Sequence, residues 1–351
     1  MKGTAAHSGT KHLALPMLIA TALAAVFCLL SLTQQRSLIS PATAAQQNSK
    51  KLRDPAAWGG DHVGKTLPEY MTGSECLFCH REKVGPAWQT NRHRLTVRLP
   101  EDEPAAMAAL EQDEQTKQFA ADVDFVMGGR NRVRYLRRSK AYGKADLLSV
   151  ACAVEGAEHA LEGAATGRWD TTKFADSCAG CHATAVDSEL RAFAAVGHDC
   201  YSCHGDVDVD HSEDPKLVHL AKARKDSAAV VISICAQCHI RTGKSKSTGL
   251  PYPNQFVAGD NLFRDFQADF SDEHLQRLNP GDRHVLENVR DVILQGQTRV
   301  TCLSCHDVHG QSNQKHRRVS RSRHLCVTCH FPTGPKSKLK EYEVKSELCE
   351  Y

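Results

Sequence analysis

The sequence predicts a mostly α-helical chain with much irregular structure, folded around a core that its own side chains do not supply. Three observations lead there. The composition is globular, 41% hydrophobic and 24% charged, but aromatic residues make up only 6%, thin for a chain of 351 residues. Twelve of the fifteen cysteines fall into six Cys-x-x-Cys pairs, each followed at once by His. These motifs also crowd together. The second and third begin 22 residues apart and the fifth and sixth 24 apart, which leaves no room for an independent domain between them.

The six motifs are Cys76, Cys79 and His80; Cys178, Cys181 and His182; Cys200, Cys203 and His204; Cys235, Cys238 and His239; Cys302, Cys305 and His306; and Cys326, Cys329 and His330. Cys-x-x-Cys-His is the attachment signature of haem c. The two sulfurs form thioethers to vinyl groups on one porphyrin edge, and the adjacent imidazole is the proximal iron ligand. Zinc knuckles, disulfides and redox dithiols are the competing readings. Histidine is 19 of 351 residues, so His after all six pairs by chance has odds below about one in ten million. Zinc sites gather ligand pairs in fours and need no following His. The expectation is six covalent haems c in a closely packed core, a multihaem cytochrome c in which porphyrin burial replaces much of the usual side-chain packing.

Along the chain, Lys2 and Lys11 precede an apolar run from Leu13 to Leu32, and Ala42-Thr43-Ala44 supplies an A-x-A-like cleavage site. Residues 1–44 therefore read as a signal peptide, or as an N-terminal membrane anchor, since the run is long enough to span a bilayer. Residues 45–69 are a polar linker, 70–335 a hexahaem domain and 336–351 a tail. Within the domain, Pro104 to Phe119, Ser188 to Ala195 and His284 to Leu294 have helical composition or spacing. Asp124 to Arg138 alternates apolar and basic residues around Gly128-Gly129 and predicts a short β-hairpin. The remainder reads as loop. Cys152 reads as a small buried hydrophobe, and a bridge from it to Cys349 has no support in the sequence.

The formal charge is +3, and removal of residues 1–44 takes away three basic residues and no acid. Two propionates per haem, offset by the ferric core, bring the mature oxidised protein to about −6. Nothing here argues for nucleic acid. Arg130, Arg132, Arg134, Arg137 and Arg138 are candidates to neutralise propionates or dock an acidic partner, as are Lys315, Arg317, Arg318, Arg321 and Arg323; a solvated basic face is the plainer reading of both.

Five stretches together resemble the multihaem cytochromes related to the tetrahaem electron acceptor of hydroxylamine oxidoreductase and its doubled-CxxCH relatives. They are GSECLFCHREKVGPAWQTNRH (73–93), SCAGCHATAVD (177–187), GHDCYSCHGDVDVDH (197–211), ICAQCHIRTGKSKSTGLPYPNQFVAGDNL (234–262) and VTCLSCHDVHG (300–310). The likeness spans about residues 70–330 and implies bis-histidine haems in close-packed pairs. It implies that His93 ligates the iron held by His204, and that His211 caps the iron held by His80. His198 departs from the pattern, where relatives carry a small apolar residue, and is either a new ligand or a loop histidine.

Beyond the proximal six, His93, His211 and His309 are the first candidates for distal ligands, followed by His284 and His324. His309 is too close to His306 to cap the same iron and should reach a neighbouring one. His159, His219, His274 and His316 read as surface histidines, with orientation of a ligand as the intermediate possibility. Imidazoles on both faces give low-spin irons that exchange ligands poorly, which suits electron transfer.

The expected function is a periplasmic carrier, soluble or tethered to the inner membrane, that moves electrons from a redox-protein donor to an acceptor. The alternative is a multihaem oxidoreductase acting on a small nitrogen or sulfur compound at one open iron. His182 is the candidate there, because the likeness gives it no partner. No motif reads Cys-x-x-Cys-Lys, the lysine-ligated variant of pentahaem nitrite reductases. A haem-bearing assembly subunit, anchored by its N-terminal segment, is the third class.

Overall fold

The computed structural model describes residues 63–310 and 316, apart from 64, 130, 156–157, 164–165, 208 and 296–299. By internal contacts the chain divides into 1–51 and 52–351, and every described residue lies in the second unit. The leader, the sixth attachment site with Cys326, Cys329 and His330, and also His324 and Cys349 therefore fall outside the described residues. No described helix is long and apolar enough to cross a membrane.

The hairpin expected at 124–138 is the centre of a larger antiparallel sheet. Its strands are β1 (Val97–Arg98), β2 (Phe125–Gly128), β3 (Arg132–Arg138), β4 (Ala145–Glu155) and β5 (Glu158–Gly163), in that spatial order, with β6 (Trp169–Asp170) also paired to β4. β3 and β4 pair from Arg132–Ala153 to Arg138–Ala145, with the register broken at Tyr135. Both faces are used. Val126, Val133, Tyr135, Leu148, Val150 and Cys152 pack on one side beneath Ala106 and Leu110 of the helix Pro104–Gln112. Met127, Leu136, Ala145 and Leu147 pack on the other with Phe174, Ala179, Ala183 and Phe193. Tyr135 donates its hydroxyl to Ala106 O at 2.6 Å, pinning helix to sheet. The sheet thus presents its second face to the second Cys-x-x-Cys-His motif. Cys152 is free and fully buried, as a small hydrophobe would be.

Three local expectations are corrected. The helix from Pro104 stops at Gln112 rather than Phe119. The Asp113 carboxylate takes the amides of Gln115 and Thr116 at 3.0 Å each, an Asx turn that competes with further helix. Ser188–Ala195 is not a helix. Ala192–Val196 forms strand β8, paired with β7 (Ala183–Asp187). Asp187 accepts from the amides of Glu189 and Leu190 at 3.0 and 2.8 Å, and Arg191 turns the chain at φ 54°. The helix expected at His284–Leu294 begins earlier, at Pro280 behind an Asn279 cap, and widens to π geometry over Asn288–Leu294. There the Asn288 side-chain amide donates to His284 O at 2.7 Å, inserting a side chain into the ladder.

The stretch read as loop contains the longest described helix, Ala228–His239. Ser227 caps it, accepting from Val230 N at 3.3 Å. Its residues Ile232, Ala236 and the following Ile240 enter a core with Leu262, Phe263, Phe266, Leu275 and Leu286. Burial of a side chain such as Ile232 or Leu286 contributes roughly 1.5–3 kcal/mol. This helix is packed against the segments of the second, third and fifth motifs.

Candidate functional site

All five described motifs lie on short helices or helix ends: Gly73–His80, Ala179–His182, Tyr201–His204, Ala228–His239 and Cys302–Cys305. The helical period explains the spacing. Cysteines three apart share a face, and the next residue, His, emerges one turn from the first cysteine. Thr72 and Glu75 form a capping box at the first helix. Gly205 follows His204 at φ 69°, turning the chain where a Cβ would meet Ala258 at 3.0 Å.

Contacts between motifs join these helices into one cluster. Asp199, just before the third motif, accepts from the Tyr70 hydroxyl and from Gly73 N at 3.3 Å, which anchors the first motif. His198 spans the second and third. Its Nε2 donates to Cys181 O at 2.8 Å, while its Nδ1 faces Ser202 Oγ at 3.2 Å. From the fourth motif, Gln237 donates to Ser202 O at 3.1 Å, and Cys238 Sγ lies 3.6 Å from Gly180 O in the second. The thiols of Cys76 and Cys200, Cys181 and Cys238, and Cys235 and Cys302 interact directly.

Cys79 departs from the closely packed core that the motif spacing predicts. It is free and exposed, whereas Cys76, its partner in the motif, is half-buried. The reason is where the first helix is held. Tyr70 and Gly73 fix its N-terminal end to Asp199, and no residue of Gly73–His80 is buried, so the turn carrying Cys79 stands at the surface. Cys305 of the fifth motif is half-buried, as are the cysteines of the second, third and fourth.

The imidazoles come together in pairs. The rings of His80 and His211 stack at 6.1 Å between centroids with planes 27° apart. His204 and His309 lie 5.8 Å apart at 39°, and His93 and His239 lie 6.1 Å apart at 70°. Two metal–nitrogen bonds of about 2.0 Å, plus the distance from each nitrogen to its ring centre, separate trans axial imidazoles by about 6.3 Å. The observed pairs fit that separation. His309 thus reaches a neighbouring motif, that of His204. His93 is placed with His239, not with His204 as the resemblance implied, because the buried Asn91 ties its loop to Val308 and Gly310. Asn91 Nδ2 donates to their carbonyls at 2.7 and 3.2 Å, and its Oδ1 accepts from His93 N at 2.9 Å.

Neighbouring groups orient these rings. His204 Nδ1 donates to His219 O at 2.5 Å, which leaves Nε2 for a metal. His93 Nδ1 lies 3.3 Å from Asn91 Oδ1, with the same effect. Burial, followed by the charges of His239 and His316, brings the pKa of His93 down to about 4. Burial does the same for His182, also to about 4, aided by His198 and Arg241. Burial also lowers His204. Neutral imidazoles are the form that binds metal. His182 Nδ1 and both ring nitrogens of His316 are buried without a hydrogen-bond partner among the described residues. Such orphaned nitrogens and the ring separations fit haem, and Phe78, 85% exposed beside Cys79, offers an apolar face to a flat cofactor.

The remaining candidates are placed as follows. His198 has both nitrogens in contact within the protein and so tethers the second motif to the third. His284 sits on its helix with Nδ1 3.3 Å from Asn288 Nδ2. His274 contacts Thr242 Oγ1 at 3.1 Å, and His219 contacts Asp226 at 3.3 Å. Of the first basic cluster, Arg132 pairs with Glu162, Arg137 with Asp146 at 2.9 Å, and Arg138 with Asp124 at 3.2 Å. These are sheet ion pairs. The charge of Arg134 acts on Cys178, partly offsetting the rise that burial causes there. Sequence reasoning missed Asn91 and Asp199, which join local bonds to contacts across more than a hundred residues.

The motif thiols do not shift together: burial raises Cys178 and pushes Cys203 up to about 11, whereas the facing thiols of Cys200, Cys238 and Cys235 lower Cys76, Cys181 and Cys302. Among the described residues no three His, Cys, Asp or Glu side chains converge on a metal-ion site of their own.

The doubled CXXCH motif family matches residues 295–334, which hold the fifth and sixth motifs, the latter with Cys326, Cys329 and His330. No curated protein matches the chain. Among solved structures, the undecaheme cytochrome from the S-layer of Carboxydothermus ferrireducens is similar at 18% identity and a TM-score of 0.43, over 77% of this chain and 44% of that one. The chain thus spans under half the length of that protein. The six motifs and the doubled-motif match support covalent haem c and a multihaem c-type cytochrome.

Proposed function

We propose that this chain is an exported, periplasmic electron carrier with six covalent haems c, passing electrons between a redox-protein donor and an acceptor. The observation that carries the reading is the continuous stitching of the five described motifs, from Asp199 through His198 and Gln237 to the Cys235–Cys302 contact. Attachment sites held that close keep successive redox centres within short transfer distance. Haem supplies an iron that gains and loses one electron.

The chain's residues do the rest. The motif cysteines fix each porphyrin edge. His80 with His211, His204 with His309 and His239 with His93 would hold three irons from both faces. Asn91 and the His219 carbonyl set which nitrogen each ring offers. A rigid ligand pair changes little between oxidation states, which keeps the reorganisation that accompanies transfer small. The basic, apolar and A-x-A pattern of residues 1–44 supports export. Redox partners would dock near exposed cofactor edges, for which the surface position of Cys79 makes the first motif the candidate.

A second reading, an oxidoreductase acting at the iron of His182, is favoured by one observation. Among the described residues no imidazole ring faces His182 as His211 faces His80, and its Nδ1 is buried and unpaired. The test is haem quantitation, low-temperature EPR of the oxidised holoprotein and carbon monoxide binding to the reduced form. Six haems, all low-spin and inert to carbon monoxide, support the carrier. One high-spin iron that takes up carbon monoxide, lost in His182→Ala, supports the enzyme.

A further inference from the structure

His316 reads from sequence as a surface histidine, yet its ring is inside the site. Both of its nitrogens are covered and meet no partner of full hydrogen-bond geometry among the described residues; the Asp307 backbone is the hydrogen-bonding group beside the ring and acts against the lowering by burial. In this half-buried ring it is the two nitrogens that are shielded from water, and covered polar atoms without well-formed hydrogen bonds are costly unless something else binds them. The ring lies 5.0 Å from that of His93, and His306 is the leading charged neighbour of His316. The backbone holds it there in an unfavourable conformation, φ 58° for a residue with a Cβ. Strain of that kind persists where the surroundings over-determine a residue, and it clusters at functional sites. The His316 carbonyl accepts from Asp307 N at 2.7 Å, which ties the residue to the fifth motif.

We infer that His316 is an axial iron ligand, serving a different iron from the one between His93 and His239. The inference rests on the covalent-haem reading and deepens it. Its geometry excludes two partners. At 5.0 Å, His93 and His316 are too close to be trans on one iron, whereas His93 and His239 at 6.1 Å fit the axial separation. His306 is excluded as well, because the Asp307–His316 backbone bond holds the two histidine backbones a few ångströms apart. Trans ligands need their backbones on opposite sides of a porphyrin. Imidazoles of two neighbouring irons lying side by side account for the 5.0 Å contact, and they place two irons close together at this point.

The test uses the full-length, haem-loaded protein. Haem content of the wild type by pyridine haemochrome checks the reading beneath the inference, independently of His316. His316→Ala, His93→Ala and the double variant are then compared by EPR and by carbon monoxide binding. The inference expects unchanged haem content, one high-spin, carbon monoxide-binding iron in each single variant and two in the double. His316→Met serves as a second variant, expected to remain low-spin with a raised potential for one haem. A fully low-spin His316→Ala would overturn the inference. So would a double variant with a single high-spin iron, since the two histidines would then serve the same iron. Should His316→Ala fail to mature, an unshifted potential in His316→Met overturns it equally.

Discussion

The angle between paired imidazole planes makes a spectroscopic prediction that depends on geometry alone. Each axial imidazole donates π density along its own plane normal and lifts the degeneracy of two iron d orbitals. For rings standing upright on the porphyrin, the two contributions add in proportion to the cosine of the angle between the planes. The angles of 27°, 39° and 70° then leave about 0.9, 0.8 and 0.3 of the splitting that parallel rings would give. A ferric iron with a large splitting gives a rhombic low-spin EPR signal, and one with a small splitting gives a highly anisotropic signal with a large maximum g value. The His93–His239 iron is therefore expected to give the large-g signal, while the His80–His211 and His204–His309 irons give rhombic ones. His93→Ala is the perturbation. It should delete the large-g feature, add one high-spin iron and leave the rhombic intensity intact. Loss of rhombic intensity in His93→Ala would refute the pairing, and a spectrum without any large-g signal would refute the 70° geometry.

Four further substitutions test the framework. Gly180→Ala places a Cβ 2.1 Å from that of Tyr252, whose hydroxyl holds Ala175 O at 2.5 Å, so the second motif is displaced and haem content should fall by one per chain. His198→Gln should keep every iron low-spin and cost about 1 kcal/mol of stability through a weakened motif tether; a new high-spin iron would instead make His198 a ligand. Asn91→Ala leaves the Val308 and Gly310 carbonyls unmet, a loss of about 2–3 kcal/mol, and should perturb the large-g signal and the His204–His309 signal together; a change in only one would show that the loops are not coupled. Tyr135→Phe removes the bond to Ala106 O and should cost about 1–2 kcal/mol in thermal unfolding followed by far-ultraviolet circular dichroism, with the EPR spectrum unchanged.

What was legible in the sequence divides by the range of the interaction. The attachment motifs are local: three positions of one helical turn carry the chemistry, and no fold is needed to recognise them. Their burial is not local, and Cys79 at the surface beside half-buried Cys76 shows it, since long-range contacts such as those to Asp199 decide which end of that helix is covered. Ligand pairing is not local either. His309 meets His204 across more than a hundred residues, and His93 meets His239 because Asn91 hydrogen-bonds to residues more than two hundred positions later. No spacing rule encodes such a contact. The sheet was half legible for a related reason. Its first hairpin alternates apolar and basic residues, but β4 (ADLLSVACAVE) is apolar on both faces because a helix covers one and the second motif the other, and a strand buried on both sides has no alternation to read. The helix Ala228–His239 hid in the same way, with apolar residues around nearly its whole circumference and no polar stripe to set a 3.6-residue period. His316 is the sharpest case. Its neighbours in sequence are basic and polar, which reads as surface, whereas its covered ring nitrogens and its 5.0 Å contact with the His93 ring support the ligand role inferred for it. Its contact to His93 comes from more than two hundred residues away, so a histidine's own sequence context is a poor guide to its surroundings.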